Sequence, residues 1–416
     1  MSSELLPEKI RELEVSIGSH QGAGQLLKAS RYEFRYLSAD PSQDRVALLM
    51  PPSEQLTWQE SALFAPMDQN LPEGDLFTRI RAMYPKQPMT PMHLLALIGS
   101  SGIGRLGYRM PGQTSRPTPA VISKEDLLKL RYSHALFDEL IAAYLSTGIG
   151  IAGMQPKIMV PERSTVPIPS LIVKAGSDSY PGLVANEFLC LSAAKRAGID
   201  VPEFGLSDDG QMLVLDRFDL VTGADGQTER LGFEDISALA GLRVRDVLSD
   251  RKYHGSYQRV AELLRQLGLP GADLERFFEQ VAFSVMVRNG DAHLKNFGVL
   301  YRSSKDIWLA PMYDVVTTCI YKYTQYPGGP ELEDRTMALK LFVGHGRSKS
   351  YPSHDALLEF GRRVCGVAQP QQVLTRIAQA MRQTLKISVG DERIPKELLA
   401  QMKSAWVSAI NGSGVG

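Results

Sequence analysis

Hydrophobic and polar positions along the chain fall into two rhythms, a period of two and a period of about 3.6. Between about Tyr32 and Met110, alternation in YEFRYL and the apolar run of RVALLM predict strands, while the spacing in Leu76–Met83 and Met92–Ile98 predicts helices. The segment MPGQTSRPTPAV breaks both rhythms, with Pro111, Pro117 and Pro119 marking a linker. From Ser133 to about Phe218 the chain predicts a small α+β lobe: a helix (Ala135–Leu145), a glycine-rich turn, strands in KIMVP and SLIVKA, a helix from Leu183 to Ala197, and a strand in MLVLDRF. Beyond Phe218 the rhythm is mainly helical, over Glu234–Leu239, Tyr257–Leu267, Asp273–Arg288, His354–Val364, Gln371–Ile387 and Lys396–Ile410. The tail NGSGVG reads as a frayed end.

Composition narrows the function classes without choosing one. With 46 Lys+Arg against 46 Asp+Glu the chain has no global field to hold a polyanion, so autonomous binding to nucleic acid or an acidic membrane is not expected. Its 416 residues, 44% of them hydrophobic, can bury large cores in two or three domains. Cys190, Cys319 and Cys365 are too scattered for a disulfide framework or a paired zinc site, and the histidines show no ligand spacing. MSSELLPEKIRELEV lacks the apolar centre of a signal peptide, and no run of about 18 apolar residues offers a membrane span, so a cytoplasmic protein with no membrane partner is expected.

Candidate chemistry begins in STGIGIAGMQPK, where Gly148, Gly150 and Gly153 satisfy G-x-G-x-x-G. Gly102, Gly104 and Gly107 do the same, so the pattern alone decides little. A dinucleotide fold needs a strand before the glycines and a helix after them; here a helix precedes, and Pro156 with KIMV predicts a following strand. A glycine-rich turn feeding a strand can lay its N–H groups over nucleotide phosphates, and a turn chosen only for its geometry is the alternative. Lys174, at the end of an apolar strand, could reach those phosphates, with Glu187 on the next helix to hold it; two solvated charges are the other reading. In VMVRNGDAHLKNFGVLYRSSKDIWLAPMYDVVT, Asp291 and Asn296 stand in D-x-x-x-x-N spacing, and Asp314 follows 18 residues later. Phosphoryl transfer needs these residue types: a carboxylate for the nucleophile's proton, then an amide oxygen and a second carboxylate for Mg²⁺ on the phosphates. All the parts occur in kinase order, so an ATP- and Mg²⁺-dependent kinase is expected.

The motifs GMQPK, SLIVK, NEFLCLSAAKRAGIDVP, LVLDRFD, NGDAHLKNFGVL and APMYDVV together resemble HipA-family serine/threonine kinases, the toxins of bacterial type II toxin–antitoxin systems, and their YjjJ-like branch. The resemblance reaches back through HLLALIGSSGIGRLG, LPEG and LLKASRYEFRY and forward through KYHGSY and MALKL, covering most of the chain. It implies an α+β, bilobal protein-kinase-like fold. An N-terminal α/β subdomain would occupy residues 1–112, a linker 113–132, a kinase N-lobe with the glycine-rich loop 133–218, and a mainly helical C-lobe with the catalytic loop 219–416. By motif, Asp291 looks like the catalytic Asp, Asn296 and Asp314 like the Mg²⁺ ligands, and Lys174 like the lysine on the ATP phosphates. His293 falls within the catalytic loop, with a chemical role or a loop-stabilising hydrogen bond both open. Gly150, Ile151, Ala152, Gly153, Gln155 and Lys157 match the ATP-covering segment; Asp216, Arg217 and Phe218 resemble the hinge that receives adenine, with Phe218 against the base.

The same resemblance implies growth inhibition through phosphorylation of a translation component such as an aminoacyl-tRNA synthetase. It also implies a HipB-like helix-turn-helix antitoxin, with DNA met only through that partner. Family members often carry a loop serine whose autophosphorylation silences the kinase; the matching position here is Gly150, with Ser146 and Thr147 a few residues upstream. Two rivals remain: a small-molecule phosphotransferase, whose catalytic loops differ little from NGDAHLKN, and a non-catalytic module that binds an antitoxin or DNA. The basic stretches holding Arg243, Arg245, Arg251 and Lys252, and Arg347 and Lys349, read as solvated surface or as contacts for an acidic partner.

Overall fold

The structure, a computed structural model, describes residues 6–37, 45–99, 102–113, 123–137, 140, 157–160, 170–176, 180–223, 226–243, 251–323, 329–344 and 349–412. The chain divides into two units, one formed by Met1–Ala175, Val214–Ser249 and Leu300–Asp306, the other by Gly176–Leu213, Asp250–Val299 and Ile307–Gly416. Helices and strands are mixed throughout, the α+β class expected.

In the first unit, β1 (Glu12–Ile17) and β2 (His20–Lys28) form an antiparallel hairpin around Gly18 and Ser19. Gly18 takes φ +59°, a left-handed conformation that tight hairpin turns require and a side chain resists. With β3 (Tyr32–Tyr36), β4 (Thr57–Glu60) and β5 (Leu106–Arg109) they make a five-stranded sheet in the order β4-β3-β2-β1-β5. Alternation sends Leu13, Val15, Leu26 and Phe34 to one fully buried face. The predicted helices are present as α1 (Gly74–Met83) and α2 (Pro91–Ile98). Thr90 caps α2, Pro91 occupies its first turn, and the helix packs on β1 and β5. A further helix, α3 (Lys124–Lys129), capped by Ser123, lies inside the segment read as linker. KIMV and SLIVKA form the antiparallel pair β6 (Lys157–Val160) and β7 (Leu171–Ala175), with Lys157 opposite Lys174. MLVLD forms β8 (Met212–Asp216).

Two expectations for this unit are corrected. RVALLM buries Val46, Ala47, Leu48 and Met50 but exposes Leu49, and it forms turns rather than a strand, because side chains satisfy its backbone. Val46 N–H donates to the Tyr36 hydroxyl (2.9 Å), which donates to Met50 O (2.5 Å), and Leu48 N–H donates to Glu234 Oε1 (2.6 Å). The predicted helix Glu234–Leu239 is shortened: Gly232–Asp235 is a strand (β9), and Asp235 Oδ1 accepts from Ala238 N–H (2.7 Å) to start one helical turn, Ile236–Leu239. The mainly helical region also contains a hairpin of Leu220–Thr222 with Thr228–Arg230.

The second unit is built on α4 (Leu183–Arg196), α5 (Tyr257–Gln266), α6 (Gly271–Met286), α7 (Pro370–Ile387) and α8 (Lys396–Gly412), all close to their predicted spans. Helix α7 packs against α4, α6 and α8. In α5, Ser256 Oγ accepts from Arg259 N–H (3.2 Å), and Tyr257, Val260, Ala261 and Leu264 line the buried stripe. The predicted helix His354–Val364 is regular through Glu359 and then widens into a π turn over Phe360–Cys365. Gly361 lies there against the Phe278 ring, where a Cβ would come within 2.9 Å of the ring. Among the described residues no helix is long and apolar enough to cross a membrane.

Candidate active site

Helix α6 delivers the chain to a loop whose backbone groups are held largely by polar side chains. Arg288 takes φ +61°, and its carbonyl accepts from the Thr318 N–H and hydroxyl, both at 3.1 Å. Gly290 N–H donates to Thr318 Oγ1 (2.8 Å), and a Cβ on Gly290 would stand 2.6 Å from the Thr336 backbone oxygen as well as 1.9 Å from Asp334 Oδ2, so only glycine permits this approach. Asn289 Oδ1 then accepts from Asp291 N–H (3.1 Å), His293 N–H donates to Asp291 O (2.7 Å), and Leu294–Asn296 close a 3₁₀ turn. The Asn296 amide nitrogen donates to Asp291 O (3.0 Å) and to Asp314 O (3.3 Å). Three residues separated in sequence therefore meet at one side chain. Asp314 itself adopts φ +53°, a conformation that non-glycine residues rarely take.

The electrostatics set Asp291 and His293 apart. Asp291 keeps 43% of its side chain accessible while protein crowds it, and that desolvation raises its pKa above the ordinary value. The Tyr253 hydroxyl, donating to Asp291 Oδ1 at 2.6 Å, and the Lys252 charge act in the opposite sense; Asp314 and Asp334 add to the rise. His293 is held well below its usual pKa, by burial first and then by Lys252 and Lys295. It is neutral at neutral pH, so its 3.8 Å approach to Asp291 is not an ion pair. Its ring meets Tyr253 edge-on at 5.0 Å, and Nδ1 is buried without a hydrogen bond among the described residues.

The donor set fits Mg²⁺. The NH₂ of Asn296 is held by two carbonyls, while its oxygen accepts no hydrogen bond among the described residues. With Asp314 it offers the hard oxygens that Mg²⁺ takes alongside substrate phosphates and water. Among the described residues no group of three His, Cys, Asp or Glu forms a self-sufficient metal cage.

The remaining sequence candidates separate. Lys174 on β7 and Glu187 on α4 are both buried, so neither is a solvated charge. Gly150, Ile151, Ala152, Gly153 and Gln155 lie outside the described residues. In the hinge segment the Asp216 carboxylate accepts from Lys124 (2.7 Å), and Phe218 packs edge-on against Phe233 at 5.3 Å. Arg217 is occupied internally: its N–H donates to Ser170 O (2.8 Å), and its buried guanidinium pairs with Asp219 and bonds Gly102 O.

Sequence reasoning missed Tyr253 and misplaced Lys252. Lys252, read as part of a basic surface, is only 7% exposed. Its neighbours in that stretch differ: Arg251 is exposed, Arg243 pairs with Glu60 (2.6 Å), and Arg245 lies outside the described residues, as does Arg347. Lys349 Nζ donates to Tyr253 O (2.8 Å). The motif KYHGSY carried the signal for Tyr253, but nothing in its spacing announced a bond to a residue 38 positions away.

Comparison with known proteins extends the picture. The protein named "Putative kinase Y4dM" of Sinorhizobium fredii is 32% identical over 167 residues, covering 36% of this chain and 38% of that one. A "Putative kinase" of Haemophilus influenzae is 27% identical over 243 residues, covering 52% and 67%. The chain thus spans between about a third and two thirds of the curated relatives it matches. Among solved structures, HipA from a Shewanella oneidensis complex of HipA, HipB and operator DNA superposes with a TM-score of 0.68 at 18% identity, covering 96% of each chain, so the fold is shared. The HipA N-terminal domain matches residues 13–109 and the HipA-like C-terminal domain residues 149–387. Since the latter alone takes in more than half of the sequence, and the asparagine-tied loop falls within it, this chain belongs to the HipA family.

Proposed function

We propose that the chain is an ATP- and Mg²⁺-dependent serine/threonine protein kinase that acts in the cytoplasm and inhibits growth by phosphorylating a translation component such as an aminoacyl-tRNA synthetase. One observation carries the reading: the Asn296 amide joins the backbones of Asp291 and Asp314, bringing a proton-accepting carboxylate beside two hard oxygen donors. Asp291 orients the acceptor hydroxyl and takes its proton. Tyr253 fixes the carboxylate through Oδ1. Neutral His293 leaves the proton on that path to Asp291 and steadies the loop through its N–H. Asn296 and Asp314 would hold Mg²⁺, which supplies charge neutralisation on the phosphates. Lys174 serves the phosphates, Gly150–Gln155 and Lys157 cover them, and Phe218 lies at the adenine, with 133–218 and 219–416 as the two kinase lobes. A HipB-like antitoxin is the proposed partner, supported by likeness to a HipA solved with HipB and operator DNA; DNA would be reached through it alone.

The test is to incubate wild type and Asp291→Asn with labelled ATP and Mg²⁺ in a dephosphorylated lysate. A protein labelled by the wild type alone is expected. A wild type that binds ATP and labels no protein would overturn the proposal.

A further inference from the structure

Lys252 is a cation in an unusual position. It lies in the 3₁₀ turn Arg251–Tyr253, which packs on the turn Leu294–Asn296 of the catalytic loop. At 7% exposure it is nearly removed from water, and no carboxylate stands within ion-pair distance of it among the described residues. Its ammonium lies 5.4 Å from the centroid of the Tyr253 ring, whose hydroxyl bonds Asp291. Its charge is felt at both Asp291 and His293. A lysine held largely out of water with no carboxylate at ion-pair distance among the described residues favours an anion that can complete its site.

We propose that Lys252 is a catalytic residue, its ammonium holding the phosphoryl group as it passes from nucleotide to acceptor. This rests on the kinase reading above. In the transfer, the bond from γ-phosphorus to the β,γ-bridging oxygen breaks, with its electron pair leaving on ADP. The acceptor oxygen forms the new bond to phosphorus, and its proton goes to Asp291. Lys252 takes no part in that proton transfer and stabilises charge on the equatorial oxygens, where a fixed cation in a water-poor site is worth most.

The experiment compares wild type, Lys252→Met and Lys252→Arg as full chains. Titration with Mg²⁺·ADP is run with and without aluminium fluoride, which mimics the phosphoryl group in flight. Lys252→Met should bind Mg²⁺·ADP as the wild type does, yet lose about 10²-fold of the added affinity for the fluoride complex. ATP turnover should fall in kcat by a similar factor with KM little changed. Lys252→Arg, which keeps the charge, should recover most of both. Equal loss of Mg²⁺·ADP and fluoride-complex affinity in both variants would reduce Lys252 to a packing role, and an undiminished Lys252→Met would remove it from the reaction. A wild type that binds neither nucleotide form would sink the kinase reading itself, a result distinct from these.

Discussion

At Asp291 a single carboxylate is pulled in opposite directions by its neighbours: crowding, Asp314 and Asp334 favour the proton, while Tyr253 and Lys252 favour the charge. The role proposed for it makes Asp291→Asn the sharpest substitution, since the amide keeps the shape and loses the proton acceptor. Label transfer from ATP should fall by about 10² or more while Mg²⁺·ATP affinity, measured by titration, is retained. Asp314→Ala should differ by weakening Mg²⁺·ATP binding along with turnover; unchanged affinity would show that it is not a metal ligand. Asp291 and Asn296 were legible as a pair because they lie one loop apart, and the structure brings them together at the Asn296 amide. Tyr253 and Lys252 were not, because burial and a contact across 38 residues leave no local pattern.

Among elements, the segment after Asp314 is held by α4 through one side chain. Asn186 Nδ2 donates to Thr317 O (3.0 Å) and Asn186 Oδ1 accepts from Thr317 N–H (2.8 Å), imitating a strand pair. Trp406 of α8 closes the arrangement by donating Nε1–H to Thr317 Oγ1 (2.9 Å). Asn186→Ala leaves two buried backbone groups unpaired, so urea unfolding should show a loss of about 2–4 kcal/mol, and turnover should drop as Asp314 loses its support. A loss within about 0.5 kcal/mol would mean that Thr317 finds other partners. The long helices were readable for a plain reason: each buries a continuous stripe that sets its own period, as in α5. RVALLM and Glu234–Leu239 were misjudged because their partners are distant side chains, Tyr36 and Tyr301 among them, which outweigh the local rhythm. The need for glycine at Gly290 was equally hidden, since Asp334 and the Thr336 backbone impose it from more than 40 residues further along.

For the whole molecule, the chain's return to its first unit at 214–249 and again at 300–306 is invisible to a linear reading, and it places a carboxylate where folding must feel it. Glu234 is fully enclosed: Oε1 accepts from Leu48 N–H (2.6 Å) and from the Tyr301 hydroxyl (2.9 Å), segments that meet only in the folded unit. Burial raises its pKa from 4.5 to about 7, against the opposing pull of those two hydrogen bonds and of Arg105. Between these values the folded chain holds a proton that the unfolded chain has released, so stability falls as pH rises through this window. The stabilisation is complete below the unfolded value, about 4.5, and is lost by the time the folded value, about 7, is passed. The loss amounts to about 3 kcal/mol. Glu234→Gln keeps an oxygen for both donors and cannot ionise, so it removes this dependence. Urea unfolding of the two proteins should give similar stability near pH 5, and near pH 8 the variant should be the more stable by up to that amount. Parallel pH profiles would mean that Glu234 ionises as freely in the folded chain as in the unfolded one, and that its enclosure has no bearing on the stability of the molecule.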